Sequence, residues 1–144
     1  MDKLLYERKI YGKAVVEGTG RGEVVSSSTP LSFWGGYDAA EGRVIDRFHE
    51  LNQVIVKDKI LVLPEGRGSC TGSVVLLEAI LSDNAPAGIV LRNADEIITL
   101  GGVVADEIFS RNIPVIIVDN DDDFQTLLDA SHIEIAGNII IAKK

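Results

Sequence analysis

One stretch constrains the fold more than any other: Leu61-Val62-Leu63-Pro64-Glu65-Gly66-Arg67-Gly68-Ser69-Cys70-Thr71-Gly72-Ser73. On its N-terminal side, Ile60-Leu61-Val62-Leu63 is apolar without alternation, the pattern of a strand buried on both faces. On its C-terminal side, Val74 to Leu81 is apolar enough for two helical turns. The eight residues Gly66–Ser73 hold three glycines, two serines, a threonine and an arginine. A chain that leaves a buried strand through such a loop and opens a helix aims several backbone N–H groups at one point, which suits an anion. Arg67 adds a fixed charge with a bidentate fork. Ser69 and Thr71 both carry hydroxyls able to cap the helix. Any chemistry this chain does is expected here.

The flanking segments read as a mixture of strands and short helices. Tyr6–Val16 lacks helical periodicity and reads as a strand, Gly18–Gly22 as a loop and Glu23-Val24-Val25 as a second short strand. Ser26–Pro30 is a polar breaker, followed by the aromatic segment Leu31–Asp38 with its Gly35-Gly36 turn. Those aromatics read as core packing, or else as a loop whose glycines let backbone approach a ligand. Glu41–Leu51 is mostly polar, and its His49 reads as structural or solvated. Further on, Ala87–Leu91 reads as a strand, and Gly101–Ser110 as a helix with Val104, Ile108 and Phe109 inward. Ile113–Val118 reads as another buried strand. Asp119–Asp123 lacks the glycine and glutamate of an EF-hand, so its charge reads as helix capping ahead of a short helix, Phe124–Leu128. Ile133–Ala136 and Ile139–Ile141 flank Gly137-Asn138 as a hairpin. The resulting class is α+β or mixed α/β, in one domain over residues 1–144.

Bulk properties exclude several functions. The net charge of −8 argues against a nucleic-acid surface, which needs clustered Lys and Arg. With Cys70 as the single cysteine, no intramolecular disulfide can form, and a reducing compartment is expected. One cysteine with His49 and His132 cannot by themselves hold an iron–sulfur cluster or a tetrahedral zinc site. No apolar run is long enough for a membrane span, and Met1-Asp2-Lys3 leads into no signal-peptide pattern. A soluble, cytoplasmic protein is expected.

The central loop is not a Walker A motif, because no lysine precedes its final serine, and its glycine spacing is not that of a dinucleotide fingerprint. Ser69 stands directly after Arg67-Gly68 and ahead of a helix. A serine accepts a proton only if its alkoxide is stabilised, and helix N–H groups with Arg67 would do so. As simple capping residues, Ser69 and Ser73 fit the loop equally well. Cys70 at a helix start reads as a packing residue or as a thiol favoured in its ionised form.

Taken together, Pro30-Leu31-Ser32-Phe33-Trp34-Gly35-Gly36, Gly66–Ser73 and Asn84-Ala85-Pro86-Ala87 resemble the small subunit of the aconitase X family, over a span from about Gly12 to Val118. The resemblance implies a swivelling β/β/α domain, with a central sheet or partial barrel flanked by short helices. It implies docking on a large catalytic subunit that carries an iron–sulfur cluster or iron, with no cofactor or metal bound by this chain alone. It implies a hydro-lyase reaction in which Ser69 is the proton acceptor. Gly66, Arg67, Gly68, Cys70, Thr71, Gly72 and Ser73 would then bind substrate oxygens. The implied substrate is 5-phosphomevalonate, a phosphorylated hydroxy acid of isoprenoid biosynthesis, with cis-3-hydroxy-L-proline as the alternative.

Two other readings compete. Gly101–Val115 is similar to the Gly-Gly…Ile-Pro segment of swivelling phosphocarriers, but the phosphorylatable histidine they need is missing between His49 and His132. A stand-alone anion-binding module would use the same loop without a partner.

Overall fold

A computed structural model describes residues 4–144; Met1-Asp2-Lys3, read above as leading into no signal-peptide pattern, lie outside the described residues. Strands β1 (Glu7–Tyr11), β2 (Lys13–Val16) and β3 (Thr19–Ser26) come first, followed by the short β4 (Tyr37–Asp38) and β5 (Arg43–Val44). Strand β6 (Ile60–Leu63), helix α1 (Thr71–Leu81), strand β7 (Gly88–Leu91), helix α2 (Glu96–Phe109) and strand β8 (Val115–Ile117) then alternate. Helix α3 (Asp121–Asp129) and the strands β9 (His132–Ala136) and β10 (Ile139–Lys143) close the chain.

One sheet of eight strands runs β1-β10-β9-β3-β6-β7-β8-β2. Its β3-β6-β7-β8 half is parallel and the remaining pairings are antiparallel. Strands β1 and β2 lie at opposite ends of that order, although Gly12 alone separates them in sequence. The sheet therefore curls until its two edges meet near Gly12, giving the partial barrel expected from the resemblance. The strand expected over Tyr6–Val16 is thus two strands serving two edges.

Strand β6 sits between two cores. Leu61 and Leu63 face Leu31, Phe33, Leu76 and Ile98, beneath α1 and α2. Ile60 and Val62 face Ile133, Ile140, Phe124 and Leu127, beneath α3. All four of its residues are fully buried, as the absence of alternation predicted.

Of the loop expected over Gly18–Gly22, residues 19–22 are strand. Thr19 to Glu23 pair in register with Ala136 to His132 of β9. The glycines mark close approach instead of a turn: a Cβ on Gly20 would lie 2.2 Å from the Ala87 carbonyl oxygen.

The helix expected over Gly101–Ser110 starts at Glu96. Asp95 is extended and caps it, its carboxylate accepting the Ile98 N–H at 2.8 Å. The inward residues are Ile98, Gly101, Gly102 and Ala105, whereas Ile108 and Phe109 are exposed and Val104 is half-buried. Small residues occupy the contact face because α1 and β2 lie against it: a Cβ on Gly101 would meet the Ser73 carbonyl at 2.9 Å. The helix expected over Phe124–Leu128 runs from Asp121 to Asp129, so the acidic run caps it as expected but from within its first turn. Asn120 caps α3 by accepting the Asp123 N–H, and three aspartates sit in the first turn. The Gly137-Asn138 hairpin also forms, with Gly137 at φ +62°.

Of the early aromatics, Phe33 and Tyr37 are core residues with ring centroids 5.1 Å apart, while Trp34 is 58% exposed. The Tyr37 hydroxyl donates to the Asn84 carbonyl. Burial, then the nearby Asp38 and Asp58 carboxylates, push its phenol above the ordinary value.

Two expectations follow. Gly20→Ala should cost about 1–3 kcal/mol, because the new methyl must displace backbone, and urea unfolding measures it. Because the folded state holds the Tyr37 proton more tightly, its contribution is complete below about pH 10 and declines above it. Tyr37→Phe should therefore flatten the alkaline fall in stability when unfolding is followed from pH 8 upward.

Candidate active site

The parallel neighbours β6 and β7 end side by side at Leu63 and Leu91. The segments leaving their carboxyl ends form the site, as is usual in open α/β sheets. Beyond β6 the chain is held by its neighbours: Asn93 N–H donates to the Pro64 carbonyl at 2.9 Å. Leu31 bridges Gly66 in parallel, and the Arg67 N–H donates to the Leu31 carbonyl at 3.2 Å. On the other side, the Gly66 N–H donates to Asp95 Oδ2 at 3.0 Å. Gly68 then takes φ +95°, and a Cβ there would lie 2.6 Å from Ser32 Oγ. Tertiary structure thus brings the Pro30–Gly36 and Gly66–Ser73 motifs together. Asn84–Ala87 lies apart, with Asn84 buttressing the Ala39 and Ala40 carbonyls.

The helix start differs from expectation in where its amides point. Thr71 N–H donates to Ser69 Oγ at 3.0 Å, Gly72 N–H to the Ser69 carbonyl at 2.9 Å, and Ser73 N–H to the Cys70 carbonyl at 3.0 Å. The first turn is therefore closed on itself. The N–H groups without a partner among the described residues are the three before it, on Gly68, Ser69 and Cys70. Successive free amides beside a left-handed residue form a concavity of the type that accepts anions.

Ser69 is exposed, and its Oγ accepts the Thr71 N–H, an interaction that favours the oxyanion over the hydroxyl. It is not the capping residue proper; Cys70 holds that position, in helical conformation and without a side-chain cap bond. Cys70 is an exposed free thiol. Arg67 is exposed, with its guanidinium 3.7 Å from the Asp46 carboxylate. Asp46 thus offsets part of the charge at the loop, at little gain in stability because the Arg67 guanidinium stays largely in solvent. Gly72 and Ser73 are buried, apart from the exposed Arg67–Thr71 surface. Ser73 Oγ donates to the Ile97 carbonyl at 2.7 Å, which ties α1 to the first turn of α2.

Asp46 and Asp95 escaped the sequence reading. Asp95 had a legible signal, an aspartate two residues ahead of the Ile97-Ile98 pair, missed because the helix was begun too late. Asp46 had none. His49 is buried, with Nδ1 accepting the Leu51 N–H at 3.0 Å and Nε2 lying 3.1 Å from the Thr29 carbonyl, so both ring nitrogens serve the turn.

The loop lies on open surface, flanked by segments that expose Trp34 and Phe48. Among the described residues, no group of three or more His, Cys, Asp and Glu is placed to hold a metal ion. Among them too, no helix is long and apolar enough to cross a membrane.

Comparison with known proteins matches residues 9–142 to the aconitase X swivel domain model. A cis-3-hydroxy-L-proline dehydratase of Hypocrea jecorina is 43% identical over 90% of this chain, which spans only 22% of that protein's length. A phosphomevalonate dehydratase small subunit of Methanothermobacter thermautotrophicus is 37% identical over 85% of this chain and 89% of its own length. Among solved structures, Thermococcus kodakaraensis aconitase X in its holo form superposes with a TM-score of 0.81 at 29% identity, covering 94% of this chain and 98% of that one.

The left-handed loop position is testable on its own. Gly68→Ala must adopt a disfavoured φ and crowd Ser32, so it should cost about 1–3 kcal/mol in thermal or urea unfolding.

Proposed function

The chain belongs to the aconitase X swivel domain family, and on that premise we propose that it is the swivel component of a hydro-lyase. In this reading the loop Gly66–Thr71 forms half of an active site, and a larger partner forms the other half. Ser69 takes the proton from the carbon beside the hydroxyl-bearing carbon of a 3-hydroxy acid. The electron pair of that C–H bond becomes the new C=C bond as the C–O bond breaks, and the hydroxyl leaves as water after protonation. The free amides of Gly68, Ser69 and Cys70, with Arg67, hold substrate oxygens and favour the serine oxyanion. The observation that carries this role is the exposed Ser69 hydroxyl, already accepting one backbone N–H beside three unpaired ones.

An iron centre would supply Lewis-acid activation of the departing hydroxyl. The described residues offer no cluster suited to it, so we assign it to the larger partner. Support for such a partner comes from the small-subunit name of the Methanothermobacter relative and from the greater length of the Hypocrea relative. An open loop also needs a cover to exclude water. A reducing, cytoplasmic setting would keep Cys70 as a thiol.

Two substrates fit this reading. The first is 5-phosphomevalonate, supported by the small-subunit relatives that match along most of their length. The second is cis-3-hydroxy-L-proline, supported by the 43% and 49% identity of two dehydratases of that name.

Capture of the partner from native extract, followed by dehydration assays on both substrates, tests the proposal. Ser69→Ala should lower kcat by about 10²–10⁴-fold while the complex persists. Arg67→Ala should mainly raise KM. Unchanged turnover in Ser69→Ala would remove the serine from the mechanism. Failure to capture any partner, with anion binding by the chain alone, would favour a binding module.

A further inference from the structure

The reactive loop is held at both ends by one short segment, the cap and first turn of α2. At its start, the Gly66 N–H donates to Asp95 Oδ2 at 3.0 Å. At its end, Ser73 Oγ donates to the Ile97 carbonyl at 2.7 Å, and Gly72 packs so closely that a Cβ would lie 3.1 Å from Ile97 Cγ2. Between these anchors lie the exposed Arg67–Thr71, which, apart from the bonds that open α1, are tethered by the Arg67 N–H on Leu31 and by the Asp46 carboxylate.

Asp95 does two things at once. Oδ1 accepts the Ile98 N–H at 2.8 Å and so starts α2; Oδ2 accepts from Gly66. Capping needs only one oxygen, and serine or asparagine caps as well as aspartate does. The second oxygen is what capping leaves unexplained. It also accounts for glycine at position 66, whose φ is not positive: a Cβ would lie 2.9 Å from Asp95 Oδ2 and 3.0 Å from Ile98 Cδ1. The residue is small so that its amide can reach the carboxylate.

We propose that Asp95 is a positioning residue, whose second carboxylate oxygen sets the Gly66 end of the loop and thereby the place of Ser69 relative to substrate. It does not touch the reacting atoms. Its effect on turnover rests on the proton-acceptor role proposed above for Ser69. Its effect on loop order does not.

Asp95→Ser separates the two functions. Serine keeps an oxygen for the Ile98 N–H but is too short to reach Gly66 as well. In the chain, amide hydrogen exchange of Gly66 should quicken by about tenfold or more once its charge-assisted bond is lost. Ile98 and Thr99 should keep wild-type protection. In the complex with the larger partner, kcat should fall by about ten- to a hundredfold with KM little changed, since small misplacements of a reacting group are costly. Asp95→Asn, which presents one oxygen and one donor amide, should restore only one of the two bonds and fall short of wild type in the same assays. Wild-type exchange at Gly66 in Asp95→Ser would overturn the proposal, and so would equal loss of protection at Gly66 and Ile98, the mark of a cap alone. Faster loop exchange with full turnover, together with an inert Ser69→Ala, would uphold the tether and sink the role of Ser69 instead.

Discussion

Everything in this molecule hangs from a four-residue strand buried on both faces. Ile60 and Val62 belong to one core and Leu61 and Leu63 to the other, and none of the four retains solvent exposure. Burying such side chains contributes roughly 1.5–3 kcal/mol each, so this strand must run between helices α1 and α2 on one side and α3 on the other. Its parallel pairing with β3 and β7 fixes where its carboxyl end emerges. The glycine-rich loop begins there because the apolar run ends there.

Rigidity at the site follows from how that exit is braced. Leu31 lies along one side of the loop and Asp95 along the other, while Ser73 returns the helix to Ile97. The side chains in between face solvent. A braced scaffold carrying a few exposed polar groups fits the proposed role of one half of a shared active site, since exclusion of water needs another surface. The exposed Trp34 and Phe48 on the flanking segments fit that incompleteness.

Much of this was legible in the residues. Non-alternating apolar runs located β6, β7 and β8; the acidic run marked the neighbourhood of α3, though not its start at Asp121; Gly137-Asn138 located the closing hairpin. The motifs around Ser32 and Ser69 pointed to the family to which the chain belongs. The misreadings have a common cause in glycine. Gly18–Gly22 has a turn composition, yet Thr19 to Gly22 pair along β9, and Gly20 is glycine because Ala87 presses against it. Gly101 and Gly102 looked like a helix boundary, yet they are the interior of α2 where α1 and β2 come closest.

The sequence by itself determined which segments are apolar on two faces and where the glycine-rich loop between β6 and α1 lies. These are local matters of periodicity, capping and loop composition. Tertiary structure alone decided which amides stay free, that Arg67 shares its charge with Asp46, and that Asp95 grips Gly66 across twenty-nine residues. Each of those depends on how β6 and β7 are set side by side, and such pairings join residues whose separation along the chain carries no local signal.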